Sequence, residues 1–112
     1  MVIVPDPPYR SRKVLDHARG QPCTLRFACC SRNPEQTVAC HIRDRHKSMG
    51  RKSSDTSIVF GCAECHRFLD EHWFEADAAL VQSHVIRAMQ ETFEILIRDG
   101  IVIFPHDRKQ VR

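Results

Sequence analysis

The sequence has no run approaching the roughly 18 consecutive apolar residues that a bilayer-spanning helix requires, which excludes a membrane span of that kind. Its opening stretch, Met1 to Arg10, carries Pro5, Pro7 and Pro8 and no apolar signal-like segment, so a cytoplasmic location is expected. There is no internal repeat. Aromatic residues are sparse, with one Trp, one Tyr and six Phe among 112 residues, and a chain this short excludes a large multi-layer enzyme fold. One small domain is expected, with a core that is marginal unless something staples it. Net charge is low as well, +3 at pH 7, which would say little about partners if it were evenly spread. With 42% hydrophobic and 28% charged residues the composition is that of a globular protein, neither disordered nor collagen-like.

What the chain does have is six Cys and seven His. In a reducing cytosol the cysteines are poor candidates for disulfides, so their clustering points to metal. The charge is also clustered. Arg43, Arg45, Lys47, Arg51 and Lys52 stand against Asp44 and Asp55, a local surplus equal to that of the whole chain. The next segment, Ile58 to Asp77, is acidic, with Glu64, Asp70, Glu71, Glu75 and Asp77 against Arg67. A basic loop beside an acidic segment suits a site that holds a cation next to a polyanion.

Hydrophobic periodicity orders the elements. Residues 1–13 read as an extended arm, although Ser11 to Arg19 has the makings of a short helix stopped by Gly20, and the packed domain is expected to begin near Val14. Cys23 to Phe27 alternates like a strand, and Ser31 to Pro34 reads as a turn. Gln36 to Ile42 alternates again, with Val38, Cys40 and Ile42 on one face and Ala39 and His41 on the other. Arg43 to Ser57 reads as a long exposed loop, followed by the apolar run Ile58 to Phe60. Helical spacing begins inside the pair Cys62 and Cys65 and runs to about His72, placing His66 and Asp70 one turn apart. A longer helix spans about Ala76 to Arg98, with Val81, Val85, Ala88, Met89, Thr92, Phe93 and Leu96 as its stripe and Gly100 as its stop. Ile101 to Phe104 reads as a terminal strand and residues 105–112 as a basic tail.

The sharpest local signal is Cys62-Ala-Glu-Cys65, since two thiolates two residues apart at a turn can both reach one tetrahedral Zn²⁺ at about 2.3 Å. The other half of the site falls to Cys23 with Cys29 or Cys30. A redox role for the pair is disfavoured because no βαβ pattern surrounds it. His66 and Asp70, at i and i+4, can share a second cation and leave positions open for water and substrate. A strand bearing His41, a basic loop, a second strand and a helix bearing His66 is the ββα-metal plan. In that plan the strand His takes a proton from water, and the ion stabilises charge on a phosphodiester.

An ordered set of motifs strengthens this plan: His17-Ala-Arg-Gly20 ahead of Cys23, Cys30-Ser-Arg-Asn-Pro-Glu35, Thr37-Val-Ala-Cys-His-Ile-Arg43, Asp55 seven residues before Cys62, and Cys62-Ala-Glu-Cys-His66 with Asp70. Over residues 14–104 the chain resembles the YbcO family of small phage and prophage proteins, predicted nucleases related to the HNH endonucleases. The resemblance implies an α+β fold, a zinc-stapled, treble-clef-like ββα-metal domain with a long C-terminal helix. It implies structural zinc on Cys23, Cys30, Cys62 and Cys65, a catalytic His41, and Asp55 and His66 near the HNH-like centre. Where many HNH enzymes carry an acidic ligand just before the strand His, this chain has Cys40.

The activity expected is metal-dependent endonucleolytic hydrolysis of DNA in the cytoplasm of a bacterial host, in phage or prophage DNA processing. His41 is read as general base, Asp55 as orienting group, and His66 and Asp70 as ligands of Mg²⁺ or Mn²⁺. Arg43, Arg45, Lys47, Arg51 and Lys52 are read as phosphate contacts. The competing reading is a non-catalytic zinc module that binds DNA or a phage recombination protein. A third makes the long helix a homodimer face.

Overall fold

The computed structural model describes residues 7–44, 52–73 and 78–105. The element order is α1 (Arg12–Asp16), a 3-10 turn (Pro34–Gln36), β1 (Val38–His41), β2 (Ile58–Gly61), α2 (Ala63–His72) and α3 (Ala78–Arg98). Each boundary has a local cause. Ser11 is the N-cap of α1 and its hydroxyl accepts from the Val14 N–H. The Asn33 side chain likewise accepts from the Glu35 N–H at the start of the 3-10 turn, with Pro34 as its first residue. Helix α3 ends in a left-handed cap at Gly100 (φ 75°), and the amides of Ile101 and Val102 fold back onto the Leu96 carbonyl.

β1 and β2 form an antiparallel pair in the register Val38↔Gly61, Ala39↔Phe60, Cys40↔Val59, His41↔Ile58. Both faces are covered, which is why β2 is apolar without alternation and buried throughout. On one face Cys40, Ile42 and Val59 join Cys23, Leu25, Phe27, Cys62, Cys65, Leu69, Val81, Val85 and Ala88. On the other, Ile58 and Phe60 pack with Val14, Ala18 and Leu96. His17 Nε2 lies 2.7 Å from Asp99 Oδ2 and ties the end of α1 to the end of α3.

One polar position interrupts the apolar stripe of α3. Buried Thr92 and Thr24 share a hydrogen bond of 3.0 Å, and both hydroxyls accept from the Phe60 N–H at 3.2 Å. The helix thereby shares with Thr24 in satisfying a buried sheet amide.

Several expectations are corrected. Cys23 to Phe27 is not a strand: Arg26 takes φ 50°, a left-handed conformation that a strand cannot continue through, and Cys23, Thr24, Leu25 and Phe27 are all buried around exposed Arg26. Ile101 to Phe104 is not a strand either, because its first amides are spent on capping α3. Val38 does not share the buried row of Cys40 and Ile42, and Phe93 remains 46% exposed on its helix. The end of the 43–57 loop is buried at Ser53, Ser54 and Asp55 rather than exposed. The packed unit also begins earlier than Val14, since the Asp55 N–H donates to the Tyr9 carbonyl at 2.8 Å. Residues 1–6 of the arm, the start of the long helix near Ala76 and the tail beyond Pro105 lie outside the described residues.

Gly61 gives the pair of strands a sharp test. A Cβ there would stand 2.8 Å from Cys40 Sγ and 2.9 Å from Leu25 Cδ1, both in the buried core. Gly61→Ala is expected to cost about 1–3 kcal/mol of unfolding free energy, read from denaturant titration.

Candidate active site and metal centre

Cys23, Cys30, Cys62 and Cys65 converge so that their sulfurs all lie within 4.8 Å of one another. Cys62 follows β2 and serves as N-cap of α2, its sulfur accepting from the Cys65 N–H at 3.4 Å. The Ser31 N–H reaches the same sulfur at 3.5 Å. Burial works to raise the Cys62 thiol, but these amide donors prevail and bring it down to about 6. Burial pushes the Cys65 and Cys30 thiols up. The fourth position belongs to Cys30, since Cys29 is exposed and its thiol reaches the Glu64 carbonyl at 3.6 Å. Cys40 stands apart: burial pushes its thiol up to about 12, and it reaches the carbonyls of Val38 and Gly61.

The Cys30 and Cys62 sulfurs are 3.9 Å apart, close to the edge of about 3.8 Å that a tetrahedron with 2.3 Å metal–sulfur bonds would have. A soft donor set with amide hydrogen bonds to one sulfur fits a metal ion, and these four cysteines can hold one.

At the end of β1 the register points His41 away from Cys40 and Ile42, and its Nε2 meets Asp55 Oδ1 at 2.8 Å. Asp55 is only 4% exposed, and its other oxygen accepts from the Ser11 N–H at 2.8 Å. Arg10 NH1 donates to the Ser53 carbonyl at 2.7 Å and lies 3.4 Å from Asp55 Oδ1. Burial alone would raise the Asp55 carboxyl, but the His41 contact, the Ser11 amide and the Arg10 guanidinium hold it below the usual aspartate range. The Ser54 amide donates to Asp44 Oδ2 at 2.9 Å and holds the loop from its other end. Arg10 and Ser11 belong to the segment first read as an arm. Their separation of 44 or 45 residues from Asp55 leaves no short-range signal by which a motif search would find them.

His41, Arg43, Lys52, Ser53 and Asp70 line one cleft of about 280 Å³, and His41, Ile42, Arg43, Leu69, Asp70 and Trp73 line an adjoining one of about 150 Å³. His66 does not line either cleft. It sits at the start of α2, its amide bonded to the Cys62 carbonyl, with Nε2 3.6 Å from Asp70 Oδ2. Asp70 is therefore the residue common to the His66 pair and the His41 cleft. Of the five basic residues, Arg43 and Lys52 reach the cleft, while Arg45, Lys47 and Arg51 lie outside the described residues. Beyond the four cysteines, no third ligand-type side chain joins His66 and Asp70 in a tight cluster among the described residues.

Residues 12–101 match the family described as "Putative nuclease YbcO". The chain belongs to the YbcO family. It is 30% identical over 87 residues to "Putative nuclease YbcO" of Escherichia coli (strain K12), covering 76% of this chain and 91% of that protein. The same figures hold for "Putative nuclease ybcO" of Enterobacteria phage 82. A solved structure, "Structure of a putative bacteriophage protein from Escherichia coli str. K-12 substr. MG1655", matches with a TM-score of 0.61 at 29% identity, over 77% of this chain and 98% of that one. The YbcO match thus runs from α1 to just beyond α3 and takes in both the cysteine cluster and the His41 cleft. Among the described residues no helix is long and apolar enough to cross a membrane.

Asp55 gives a pH test whose sign is fixed by its depressed folded value. Its stabilisation is complete above the ordinary aspartate value of about 3.9 and is lost as pH falls through the lower folded value. The difference in unfolding free energy between wild type and Asp55→Asn is expected to shrink as pH falls below about 4. Denaturant titration at a series of pH values checks it.

Proposed function

We propose that this YbcO-family protein is a metal-dependent endonuclease of DNA with an HNH-like ββα-metal centre on a zinc-stapled, treble-clef-like core. The observation that carries the reading is the pair His41 and Asp55, 2.8 Å apart, opening on a cleft that also holds Arg43, Lys52 and Asp70. A buried carboxylate on one imidazole nitrogen orients the ring and fixes its tautomer. With Asp55 accepting the Nε2 proton, Nδ1 carries the lone pair and acts as general base toward water. Arg43 and Lys52 place positive charge where a phosphodiester would lie.

His66 and Asp70 would hold Mg²⁺ or Mn²⁺, an ion that keeps much of its water shell and supplies charge to the phosphate and its leaving oxygen. Cys23, Cys30, Cys62 and Cys65 would hold structural zinc, which crosslinks two distant parts of a thin core and takes no part in the chemistry. Similarity to a phage 82 protein supports work on phage or prophage DNA as the setting.

Purified protein and His41→Ala are to be incubated with supercoiled plasmid in Mg²⁺, in Mn²⁺ and in chelator. Nicking that depends on metal and falls about 100-fold or more in the variant is expected. Equal, metal-independent traces in both would reject the enzyme, and duplex binding without cleavage would favour the zinc-module alternative.

The staple has a separate test in elemental analysis. About one zinc per chain is expected, and its loss in Cys62→Ser should cost several kcal/mol of stability or abolish folding. A folded, zinc-free wild type would refute it.

A further inference from the structure

The segment Tyr9–Ser11 is hydrogen-bonded to Ser54 and Asp55, beside the candidate centre. The Tyr9 N–H donates to Ser54 Oγ at 2.9 Å, its carbonyl accepts from the Asp55 N–H, and the Ser11 N–H donates to Asp55 Oδ2. These bonds fix the backbone on either side of Arg10. The Arg10 side chain is 49% exposed, and NH1 anchors it to Ser53, a residue of the His41 cleft. Arg10 and His41 both reach toward the same oxygen, Asp55 Oδ1. The guanidinium is thus held at the His41–Asp55 pair while half its surface remains open to solvent.

We infer that Arg10 is a phosphate-binding residue of this centre, contacting the DNA backbone next to His41. The inference rests on the reading of that cleft as a DNA site. Three features support it. A guanidinium matches phosphate in shape and charge and cannot lose its proton. The NH1 anchor restricts the side chain before substrate arrives, which lowers the ordering cost of a contact. The contacts with Tyr9, Ser53 and Asp55 all run through NH1, on one side of a guanidinium whose side chain is half exposed. With Arg43 and Lys52 already in the cleft, Arg10 adds a cation from a strand-distant segment, and the DNA-facing surface spans residues 10–70 rather than the 43–52 loop alone.

The test uses binding rather than cleavage. Full-length wild type, Arg10→Gln, Arg10→Lys and Arg98→Gln are titrated with a short duplex in chelator at several salt concentrations. Arg98 is paired with Asp99 and serves as the control. Arg10→Gln is expected to lower the slope of log K against log salt by about 0.9 and to weaken binding about fivefold at roughly 0.15 M salt. Arg10→Lys should retain most of the slope, and Arg98→Gln all of it. A wild-type slope in Arg10→Gln, or no duplex binding by the wild type, would overturn the inference. The outcome is independent of the nuclease reading: plasmid nicking can fail while the slope still changes, and nicking can succeed while the slope does not.

Discussion

Four sulfurs brought within 4.8 Å of one another are the constraint on which the rest of the molecule depends. A chain of 112 residues buries little apolar surface, and here one of the two core clusters is itself built around cysteines. Cys23 and Cys30 lie on an irregular segment with no ladder to hold it, where Thr24 contributes one backbone bond to the Phe60 carbonyl. Cys62 and Cys65 lie at the junction of β2 and α2. An ion on the four sulfurs would join these two places and fix the start of α2, and so the direction of His66 and of Asp70 one turn beyond.

The candidate centre then follows from strand register. Pairing of His41 with Ile58 puts the imidazole at the open end of the strand pair, where the chain entering β2 carries Asp55. One further bond, from the Ile42 N–H to the Ser57 carbonyl at 2.8 Å, holds that entry against β1. A shift of one residue would turn His41 into the cysteine-lined core and Cys40 to the opposite face. Register and site are therefore one specification, enforced by burial of Cys40 and Ile42 on one face and of Ile58 and Phe60 on the other.

What could be read from the sequence was whatever has a short period. β1, β2, α2 and α3 follow from alternation or helical spacing, and Cys62 with Cys65 from a metal-ligand spacing. The alternation of apolar residues at Cys23, Leu25 and Phe27 marked buried positions but no strand, since Thr24 between them is buried as well and Arg26 is left-handed. The polar Thr92 in an apolar helix stripe makes sense only through its hydrogen bonds with Thr24 and the Phe60 amide, which no local pattern announces. Family membership matches the ordered motifs from His17 to Asp70. The choice of Cys30 over Cys29 came through that resemblance rather than spacing, and the structure sides with it by leaving Cys29 exposed.

The role of the arm was illegible for a physical reason. Burying a carboxylate at Asp55 is costly unless donors replace its hydration, and nothing in local sequence says where those donors come from. His41 satisfies one oxygen, and the other is met by an amide of Ser11. A main-chain donor leaves no mark on residue type, so any sequence with the right path would serve. The dependence runs both ways: the same carboxylate that orients the imidazole also anchors the N-terminal segment beside α1, whose cap is Ser11 itself. Losing the Asp55 charge should therefore loosen the start of α1 as well as the His41 ring, because one buried anion accepts from both.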